Sequence, residues 1–357
     1  MALRGKRPYM RETRPYRENN CIKTHMMFCE TRSDLVSYLS TYGDDLYVVS
    51  DPETASLFPR GLSRLETNFI AAWDAEQNDL SVVSGIMTRA HELGVRPDTR
   101  WLIIGNEGTI NIALLASSLY YGGAKVTVVP TTLFSMVSET IGGRCGINYP
   151  GERFLCSTTY PADEIIFDSV FLARQSEEDI RNGFGELMRY AFLSRDSSLM
   201  DFLLENVDGL RHRNLDLLSA MVEMAISVKI DYLEAGKKAG ALLKVLDFGR
   251  RFSWGFSLEA HQRLHYGNSL VWGMARAIAL GVQNGITDPA YARKAMELIR
   301  IYSYDVSLKL PRQSVLRYSE ASFASHDGKS CEMILPRKQG DFVLAKLPLD
   351  VLMRILS

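Results

Sequence analysis

Residues 100–133 of the chain read RWLIIGNEGTINIALLASSLYYGGAKVTVVPTTL, and this stretch decides the fold. The apolar run Trp101–Ile104 predicts a β-strand, which is followed by a loop at 105–108. Residues 110–121 have the composition of a helix, and a pair of glycines then leads into a second strand, Lys125–Val129. A strand, a helix and a strand in this order predict a βαβ unit with two parallel strands.

The same alternation extends on both sides of this unit, from about residue 26 to residue 170. Residues Leu46–Val49 predict another strand, and the helical spacing of apolar residues over 80–93 ends at Gly94, a natural helix terminus. The pattern therefore predicts a Rossmann-like α/β domain over 26–170, with a parallel sheet flanked by helices.

Beyond about residue 170 the β pattern fades and long apolar stretches with a period of 3.6 residues take over. We expect helices in four stretches, at 177–206, 214–245, 256–283 and 288–302. The sequence thus predicts a helical domain over 171–357, with a ligand-binding cleft where it meets the α/β domain.

The charge balance excludes several classes of partner. Lys and Arg number 41 against 42 Asp and Glu, which favours neither nucleic acid nor an anionic membrane surface. No apolar run is long enough to cross a membrane, and five cysteines without a CxxC pair argue against a disulfide framework. We therefore expect a cytoplasmic protein. Residues 1–25 are locally basic and predict a flexible arm that is either disordered or draped on another subunit, with binding to an acidic partner as the alternative.

Four segments carry a resemblance to a known family. Residues 129–133 read VPTTL and 141–148 read IGGRCGIN, and they resemble the segments VPTTL and VGGKTGIN of the dehydroquinate synthase group of sugar-phosphate cyclases. Residues 183–190, GFGELMRY, resemble GLAEVIKY of the same group. The form DFGRRFS at 247–253 is similar to the secondary-metabolism branch, which makes seven-carbon cyclitols or deoxy-inosose. The resemblance implies a dehydroquinate synthase-like fold, with an all-α C-terminal domain, and a homodimer.

The resemblance also implies a metal site that this sequence has altered. The group oxidises an alcohol with NAD, eliminates phosphate, reduces the ketone and closes a ring, using a divalent ion held by one Glu and two His. Glu186 matches the Glu, whereas Arg250 and Tyr266 stand at the two His positions. A guanidinium has no lone pair with which to bind a metal. We therefore expect no zinc and no other metal at this position.

An alternative metal set is present nearby in the sequence. His261 and His265 are four residues apart in a predicted helix and would face the same way, with Glu186 as the third ligand. The spacing between Gly249 and Gly267 equals that of the family, however, which keeps Tyr266 at the pocket position. Two ordinary surface histidines are the simpler interpretation.

The nucleotide-binding turn is altered as well. The GGGxxGD turn of the group reads GNEGTIN here, which keeps Gly105 and Gly108 but places a carboxylate near the expected pyrophosphate. By resemblance, the remaining cofactor contacts would come from Asp51, Glu76, Thr131 and Thr132. We expect NAD binding to be weak or lost, and hence no required cofactor.

The resemblance places a third set of residues around the substrate, and most of them are cationic. These are Arg144, Asn148, Arg153, Arg189, Lys229, Arg251, Trp254 and Lys329. Together with Arg250 they favour a small anionic metabolite, because guanidinium groups bind carboxylate and phosphate. The alternative for each arginine is an ion pair with an acidic neighbour, and the alternative for Trp254 is core packing.

These observations favour a secondary-metabolism enzyme that acts as a metal-independent cyclase or lyase on an anionic substrate. Glu186 would be the general acid or base, Tyr266 a second proton carrier, and Arg250 a catalytic cation beside them. A silent homologue that binds a metabolite or stabilises a partner subunit is one alternative. A conventional NAD-dependent sugar-phosphate cyclase is the other.

Overall fold

A computed structural model of the protein describes most of the chain. The described residues are 10–12, 16–18, 22–30, 34–42, 45–52, 54, 67–69, 79–138, 140–149, 152–236, 240–253, 266–309, 313 and 329–356. The chain divides into two compact units, Met1–Ser176 and Glu177–Ser357.

The first unit is built on a mostly parallel sheet. Its described strands are β1 Met10–Glu12, β2 Tyr16–Glu18, β3 Ile22–Cys29, β4 Leu46–Ser50, β5 Thr67–Phe69, β6 Arg100–Gly105, β7 Val126–Pro130, β8 Arg144–Tyr149, β9 Glu152–Thr159 and β10 Glu164–Phe167. Eight of these strands form one sheet in the order β1-β3-β10-β7-β6-β4-β5, with β2 also paired to β3. The strands from β3 to β5 in this order are parallel, whereas β1 and β2 are antiparallel to β3. Strands β8 and β9 form a separate antiparallel hairpin.

The centre of the sheet follows from its composition. Leu102, Ile103 and Ile104 of β6 are completely buried, as are Val126 and Val128 of β7. Consecutive buried residues point to both faces of a strand, so helices must cover both faces of this sheet. The βαβ unit predicted from residues 100–133 is confirmed.

Three of the four described helices of the first unit begin at a capping side chain. The four are α1 Asp34–Leu39, α2 Leu80–Glu92, α3 Glu107–Leu119 and α4 Leu133–Val137. Asp79 caps α2, and Asn106 caps α3 by accepting hydrogen bonds from the amides of Gly108 and Thr109 at 3.1 and 3.0 Å. Because Asn106 supplies this cap, α3 begins at Glu107, three residues earlier than its apolar composition indicates.

The described parts of the basic segment at the start of the chain are strands of this sheet. Met10–Glu12 pairs with residues 27–29 of β3, and Tyr16–Glu18 pairs with residues 22–24. Strand pairing satisfies the backbone groups along the β3 edge. The charge pattern alone did not predict this role.

The second unit is helical, as predicted, with one small addition. Its described helices are α5 Glu177–Leu193, α6 Ser198–Glu205, α7 Val207–Arg211, α8 Leu215–Gly236, α9 Tyr266–Gln283, α10 Pro289–Ile301 and α11 Leu349–Leu356. A 3₁₀ segment covers Gly240–Asp247. The addition is an antiparallel hairpin of β11 Ser330–Lys338 and β12 Asp341–Pro348. None of the described helices has the length and apolar character that crossing a membrane would require.

Two glycines bring α5 and α9 into backbone contact. A Cβ on Gly185 would overlap the carbonyl oxygen of Gly267, and a Cβ on Gly267 would overlap the carbonyl of Asn182. The amide of Gly267 donates to Asn182 Oδ1 at 2.6 Å, which satisfies one of the amides at the start of α9. Glu186 and Tyr266 are therefore held on adjoining turns of two packed helices.

Candidate functional site

Glu186 is the centre of a buried cluster of charges in the second unit. It lies on α5 with no exposed surface, and its Oε1 atom accepts hydrogen bonds from Arg189 Nη2 and, at 3.2 Å, from the Tyr190 hydroxyl. Arg250 Nη2 lies 3.6 Å from the same oxygen. Residues three and four positions apart share a helix face, so α5 itself aims Arg189 and Tyr190 at the carboxylate. This oxygen therefore accepts two hydrogen bonds and also forms an ion pair with Arg250.

The other oxygen of this carboxylate has a different environment. Glu186 Oε2 is buried and has no hydrogen-bond partner among the described residues. A buried carboxylate oxygen without a donor costs roughly 1–3 kcal/mol or more in folding free energy. Buried polar atoms in native proteins are almost always hydrogen-bonded to protein or to ordered water, so Oε2 is the acceptor of this cluster that remains for a water molecule or a ligand.

Arg189 is a structural partner of Glu186. Its side chain is 1% exposed, and its Nη1 donates to the carbonyl of Leu246. Burial and the charge of Arg250 lower the pKa of Arg189. The opposing effect of Glu186, with smaller contributions from the Tyr190 and Tyr266 side chains, outweighs them, so the net shift of the Arg189 pKa is upward. Arg189 stays charged, and Tyr266 lies close enough to influence it.

Arg250 is the partly exposed cation of the cluster. Its side chain is 22% exposed and lies between Glu186 and Asp247, whose Oδ1 is 3.7 Å from Arg250 Nη1. The preceding residue, Gly249, has a φ of 79° and packs against Met274 of α9, where any side chain would clash. This left-handed turn directs Arg250 toward α5.

The described residues do not form a metal site around Glu186. Within the described ranges, no group of three or more His, Cys, Asp or Glu side chains is placed to hold a metal ion. Glu186 Oε2 is a suitable oxygen donor, but two guanidinium groups flank the carboxylate and oppose a divalent cation. His261 and His265, the alternative ligands, lie outside the described residues.

A second buried carboxylate, Asp51, lies at the carboxyl ends of β4 and β6 in the first unit. Its Oδ1 accepts from the amide of Thr54 at 2.7 Å. Its Oδ2 accepts from the hydroxyl groups of Thr54 and Thr109 at 2.9 and 2.7 Å. The Thr54 hydroxyl also lies 3.4 Å from that of Thr131. Asp51 thus joins two strand ends to helix α3, and both of its oxygens have donors.

Gly105 is required beside Asp51. A Cβ at this position would lie 2.6 Å from Thr109 Cβ and 2.8 Å from Asp51 Oδ2, closer than real atoms approach. The carbonyl of Gly105 accepts from the amide of Thr131 at 3.0 Å, which ties the ends of β6 and β7 together. In parallel sheets this edge is where ligands bind, so the geometry agrees with a nucleotide site here.

The start of α3 carries the altered part of that site. Asn106 Oδ1 already occupies the amides of Gly108 and Thr109, which in a glycine-rich turn face the phosphates. Thr132 Oγ1 donates to Glu107 Oε2 at 3.2 Å and also caps α4. A nucleotide phosphate bound at this end of the sheet would have to displace the side chains of Asn106 and Glu107 or fit beside them.

Three of the predicted substrate residues lie on the β8–β9 hairpin of the first unit. Arg144 is exposed and opposes Thr159, whereas the side chains of Asn148 and Arg153 lie outside the described part of the structure. Asn111 holds this hairpin to α3, because its Nδ2 donates to the carbonyl of Gly146 and its Oδ1 accepts from the amide, both at 2.7 Å.

The remaining predicted residues are dispersed in the second unit or fall outside the description. Lys229 is buried in α8, Lys329 is exposed just before β11, and Arg251 is exposed. Burial raises the pKa of the Cys331 thiol, and the charge of Arg251 partly offsets this, which places Arg251 near β11. Glu76 and Trp254 lie outside the described residues.

Sequence reasoning did not identify several residues that organise these clusters. They are Tyr190, Thr54, Thr109, Asn106 and Asn111. Asn106 had a recognisable signal, since Asn immediately before a helix is a common cap. Thr109 and Asn111 needed the tertiary structure, because their partners belong to other elements. The partners of Tyr190 and Thr54 are only four and three residues away, but no signal in the sequence indicated that these hydroxyl groups bind the carboxylates.

Known structures of similar fold cover nearly the whole chain. A 2-epi-5-epi-valiolone synthase from Streptomyces hygroscopicus subsp. jinggangensis 5008, solved with NAD⁺ and Zn²⁺, is 20% identical with a TM-score of 0.81, covering 95% of this chain and 97% of that one. A 2-deoxy-scyllo-inosose synthase, solved with carbaglucose-6-phosphate, NAD⁺ and Co²⁺, is 17% identical with a TM-score of 0.83, covering 97% and 99%. At these identities they show the fold.

These structures correct one expectation. The altered residues led us to expect no cofactor, with NAD weak or lost and zinc absent. That expectation is wrong, because both of these proteins, which share the fold, were solved with NAD⁺ and a divalent metal ion. The error came from treating individual substitutions in the turn and the metal position as sufficient to remove cofactor dependence.

Sequence comparisons identify the family. A 3-dehydroquinate synthase of Dictyoglomus turgidum is 26% identical over 300 residues, which is 82% of this chain and 83% of that protein. Family models described as 3-dehydroquinate synthase N-terminal and C-terminal match residues 68–182 and 183–329. The chain therefore belongs to the dehydroquinate synthase-like family, within the sugar-phosphate cyclases.

Proposed function

We propose that this protein is a cyclase that uses NAD and closes a ring on a hydroxylated, anionic, sugar-type substrate. The observation that carries the proposal is the Glu186 cluster, in which a buried carboxylate with one unsatisfied oxygen lies beside a partly exposed guanidinium, Arg250. The sequence DFGRRFS at 247–253, similar to the branch that makes cyclitols, supports a role in secondary metabolism.

The charge of this cluster favours an anionic substrate. Arg189 and Arg250 bring two positive charges to the single negative charge of Glu186. Asp247 lies near Arg250 but is 55% exposed, so solvent screens its charge more strongly. Arg189 is fully buried, which leaves Arg250 as the guanidinium that contacts an anionic group of the substrate.

Glu186 and Tyr266 supply the proton-transfer groups in this proposal. Glu186 Oε2 accepts a proton or a hydrogen bond, since its other oxygen accepts two hydrogen bonds and is paired with Arg250. Tyr266 is the first residue of α9, on the turn that packs against α5, and its side chain is half-buried. In this proposal its hydroxyl group is the second proton carrier of the site.

The NAD proposal rests on the relatives and on the strand ends of the first unit. Gly105, Thr131 and the start of α3 would hold the nucleotide, with Asn106 and Glu107 adjusting to its phosphates. When bound, a nicotinamide supplies reversible hydride transfer. The described residues at Glu186 do not complete a metal ligand set, so we assign no step to a metal.

The test is turnover of a panel of six- and seven-carbon sugar phosphates with NAD⁺, measured as phosphate release and as ring formation by NMR. We expect Glu186→Gln to reduce turnover by about 100-fold or more, the range for loss of a general acid or base. Arg250→Ala should reduce it through weaker substrate binding. The matched control is Arg337→Ala, which removes an arginine that is 55% exposed and paired with Asp341 in β12.

A metabolite-binding protein without catalysis is the second candidate. It is favoured by the contacts of Glu186 Oε1, since an oxygen that is hydrogen-bonded to Arg189 and Tyr190 and faces Arg250 is held for structure rather than for proton transfer. This candidate predicts that a sugar phosphate raises the melting temperature without phosphate release. Turnover that Glu186→Gln abolishes would exclude it.

A further inference from the structure

We propose that a cavity at the carboxyl end of α5, in the second unit, binds a small α-amino acid in its zwitterionic form. The cavity has a volume of about 180 Å³ and lies between the α5–α6 connection and α8. None of the described residues that line it belongs to the Glu186 cluster. The cavity is therefore a second site, and its occupation does not depend on the proposed function.

One face of α8 forms one wall of the cavity. Met224, Ser227, Val228 and Asp231 line it, because residues three, four and seven positions apart lie on the same side of a helix. Leu199, on the wall contributed by α6, is buried, and Met224 and Val228 are half-buried, so part of the lining is apolar. A cavity of about 150 Å³ holds benzene, so this cavity has room for a ligand of roughly six to eight non-hydrogen atoms. Alanine, serine, threonine and valine fall in this range.

The wall opposite α8 is fixed from its other side by the turn of the β11–β12 hairpin. Gln339 Nε2 donates to the carbonyls of Ser194 and Asp196 at 2.8 and 3.1 Å. Gly340 packs so closely that a Cβ at this position would lie 2.5 Å from the Cα of Arg195. The backbone that carries the charged side chains of the cavity is therefore in place before a ligand binds, which lowers the entropic cost of binding.

Arg195 supplies the positive charge of the cavity. It is exposed, and its side chain forms no hydrogen bond or ion pair with another described residue. Burial raises the pKa of Tyr232, the charge of Arg195 lowers it and the charge of Asp341 raises it, so the guanidinium lies near the Tyr232 side chain. Asp341 is itself paired with Arg337, at 3.5 Å. Arg195 is thus available to a carboxylate, which a guanidinium binds through two parallel hydrogen bonds.

Two carboxylates, Asp196 and Asp231, supply the negative charge of the same cavity. Asp196 Oδ1 accepts from the Ser198 hydroxyl at 2.6 Å, and from the Ser198 amide and the Ser194 hydroxyl at 3.1 Å each. These hydrogen bonds, those from Ser198 foremost, hold the pKa of Asp196 below its ordinary value, so the carboxylate is ionised at neutral pH. All three reach Oδ1, which leaves Oδ2 to accept from an ammonium group of a ligand.

The charges of both signs select the class of ligand. A simple anion would bind Arg195 but would be repelled by the two carboxylates, and a simple cation would be repelled by the guanidinium. A neutral ligand would gain from neither charge. A free α-amino acid carries a carboxylate and an ammonium group on one carbon atom, so it pairs with both signs within a cavity of this size. The apolar part of the lining then receives its side chain, which favours valine.

The experiment measures binding by ligand-observed NMR with three matched probes. Valine carries both charges, valinamide lacks the carboxylate, and N-acetylvaline lacks the ammonium group. We expect valine to bind about 10-fold or more tightly than either analogue, the effect of losing one hydrogen bond between charged groups. Tryptophan, which is larger than the cavity, should not compete with valine.

Variants separate the two charge contacts. Arg195→Ala should weaken valine about 10-fold without weakening valinamide. Asp196→Asn keeps an acceptor for the neighbouring serines and should weaken valine without weakening N-acetylvaline. Asp231→Asn tests the same charge if Asp196→Asn does not fold. Ser227→Phe, which fills the cavity from α8, should abolish binding of all three probes. The matched control is Arg354→Ala, which removes an arginine of α11 that is 73% exposed and should leave the affinities unchanged.

Three results would overturn the proposal. The first is that neither valine nor alanine, serine or threonine binds wild-type protein at millimolar concentration. The second is that valinamide or N-acetylvaline binds as tightly as valine. The third is an affinity for valine that is unchanged in Arg195→Ala or in Ser227→Phe. The proposed function is tested separately, by turnover of the sugar-phosphate panel, so the amino-acid site and the cyclase can each fail alone.

Discussion

The two buried carboxylates of this protein have opposite hydrogen-bond environments. Asp51 in the first unit receives three hydrogen bonds from Thr54 and Thr109, so both of its oxygens are satisfied by neutral donors. Glu186 in the second unit receives its donors on one oxygen, with two arginines beside it, while Oε2 has none among the described residues.

The difference separates a carboxylate with donors on both oxygens from one that keeps an oxygen without a donor among the described residues. A carboxylate with donors on both oxygens stabilises the elements that it joins, and the three hydrogen bonds to Asp51 use most of its roughly four acceptor positions. A partly satisfied carboxylate is costly in the folded protein and can regain that cost when a ligand binds. Asp51, which the resemblance predicts to contact the cofactor, has donors on both oxygens. Glu186 has one oxygen without a donor among the described residues.

The largest expected loss of stability comes from a substitution beside Glu186, in the second unit. Arg189→Met should lower the free energy of unfolding by about 3–5 kcal/mol, because it leaves a buried negative charge without its closest partner. Urea denaturation measures this loss. The double variant Glu186→Gln with Arg189→Met should recover much of it, and a single-variant loss below about 1 kcal/mol would contradict the pairing.

Removal of the Asp51 carboxylate, in the first unit, should lower the free energy of unfolding by a smaller amount. Asp51→Ala should cost about 3 kcal/mol, because two hydroxyl groups and one amide lose their acceptor in a buried place. Asp51→Asn keeps one acceptor oxygen and is the matched control, with a smaller expected loss in urea denaturation. If Asp51→Ala were neutral, the view of Asp51 as a structural link between β4, β6 and α3 would fail.

Removal of one neutral donor from the Glu186 cluster should have a modest effect. Tyr190→Phe deletes only the hydroxyl that donates to Oε1, with an expected cost of about 1 kcal/mol in unfolding free energy. A cost near that of Arg189→Met would show that the hydroxyl, rather than the arginine charge, maintains the carboxylate. Thermal denaturation of the two variants side by side decides this.

A surface carboxylate gives the baseline for both buried ones. The hydrogen bond from Lys294, followed by one from Ser197, holds the pKa of Asp201 below its ordinary value. Asp201→Asn should cost only about 0.5 kcal/mol, as exposed pairs do. Because the folded pKa is lowered, this contribution is present above the unfolded pKa of about 3.9 and is lost as the pH falls through the lower folded value.

Measuring the unfolding of wild type and Asp201→Asn from pH 7 to pH 3 tests that sign. The difference between them should be constant at neutral pH and should shrink below about pH 4. A difference that grew on acidification would mean that Asp201 is destabilised by its surroundings rather than paired with Lys294.

Much of the fold followed from residues whose partners are near in sequence. The run Trp101–Ile104, the glycines after α3 and the strand at 126–130 predicted the βαβ unit, because strand and helix periodicities depend on neighbouring residues. The β11–β12 hairpin was missed. Gln339 in its turn donates to carbonyls at the end of α5, including those of Ala191 and Ser194 at 2.8 Å, and nothing local indicates that contact.

For the candidate site, the sequence identified Glu186, Arg189, Arg250 and Tyr266, and the family resemblance supplied their correspondence with known segments. It did not reveal which oxygen of Glu186 is occupied, or that Tyr190 shares it. It also led to the wrong expectation for cofactors, because a substitution at one position says little about how the rest of a pocket adjusts.

The sequence by itself determined the βαβ unit at 100–133, the change to helices beyond about residue 170, the place of the nucleotide-type turn and the replacement of two metal-position histidines by Arg250 and Tyr266. Only the tertiary structure decided that Asp51 is satisfied and that Glu186 keeps one oxygen without a donor. The reason is that propensity and periodicity depend on neighbours along the chain. Hydrogen-bond satisfaction depends instead on atoms that folding brings together, such as Arg250 and Glu186, 64 positions apart but 3.6 Å from N to O.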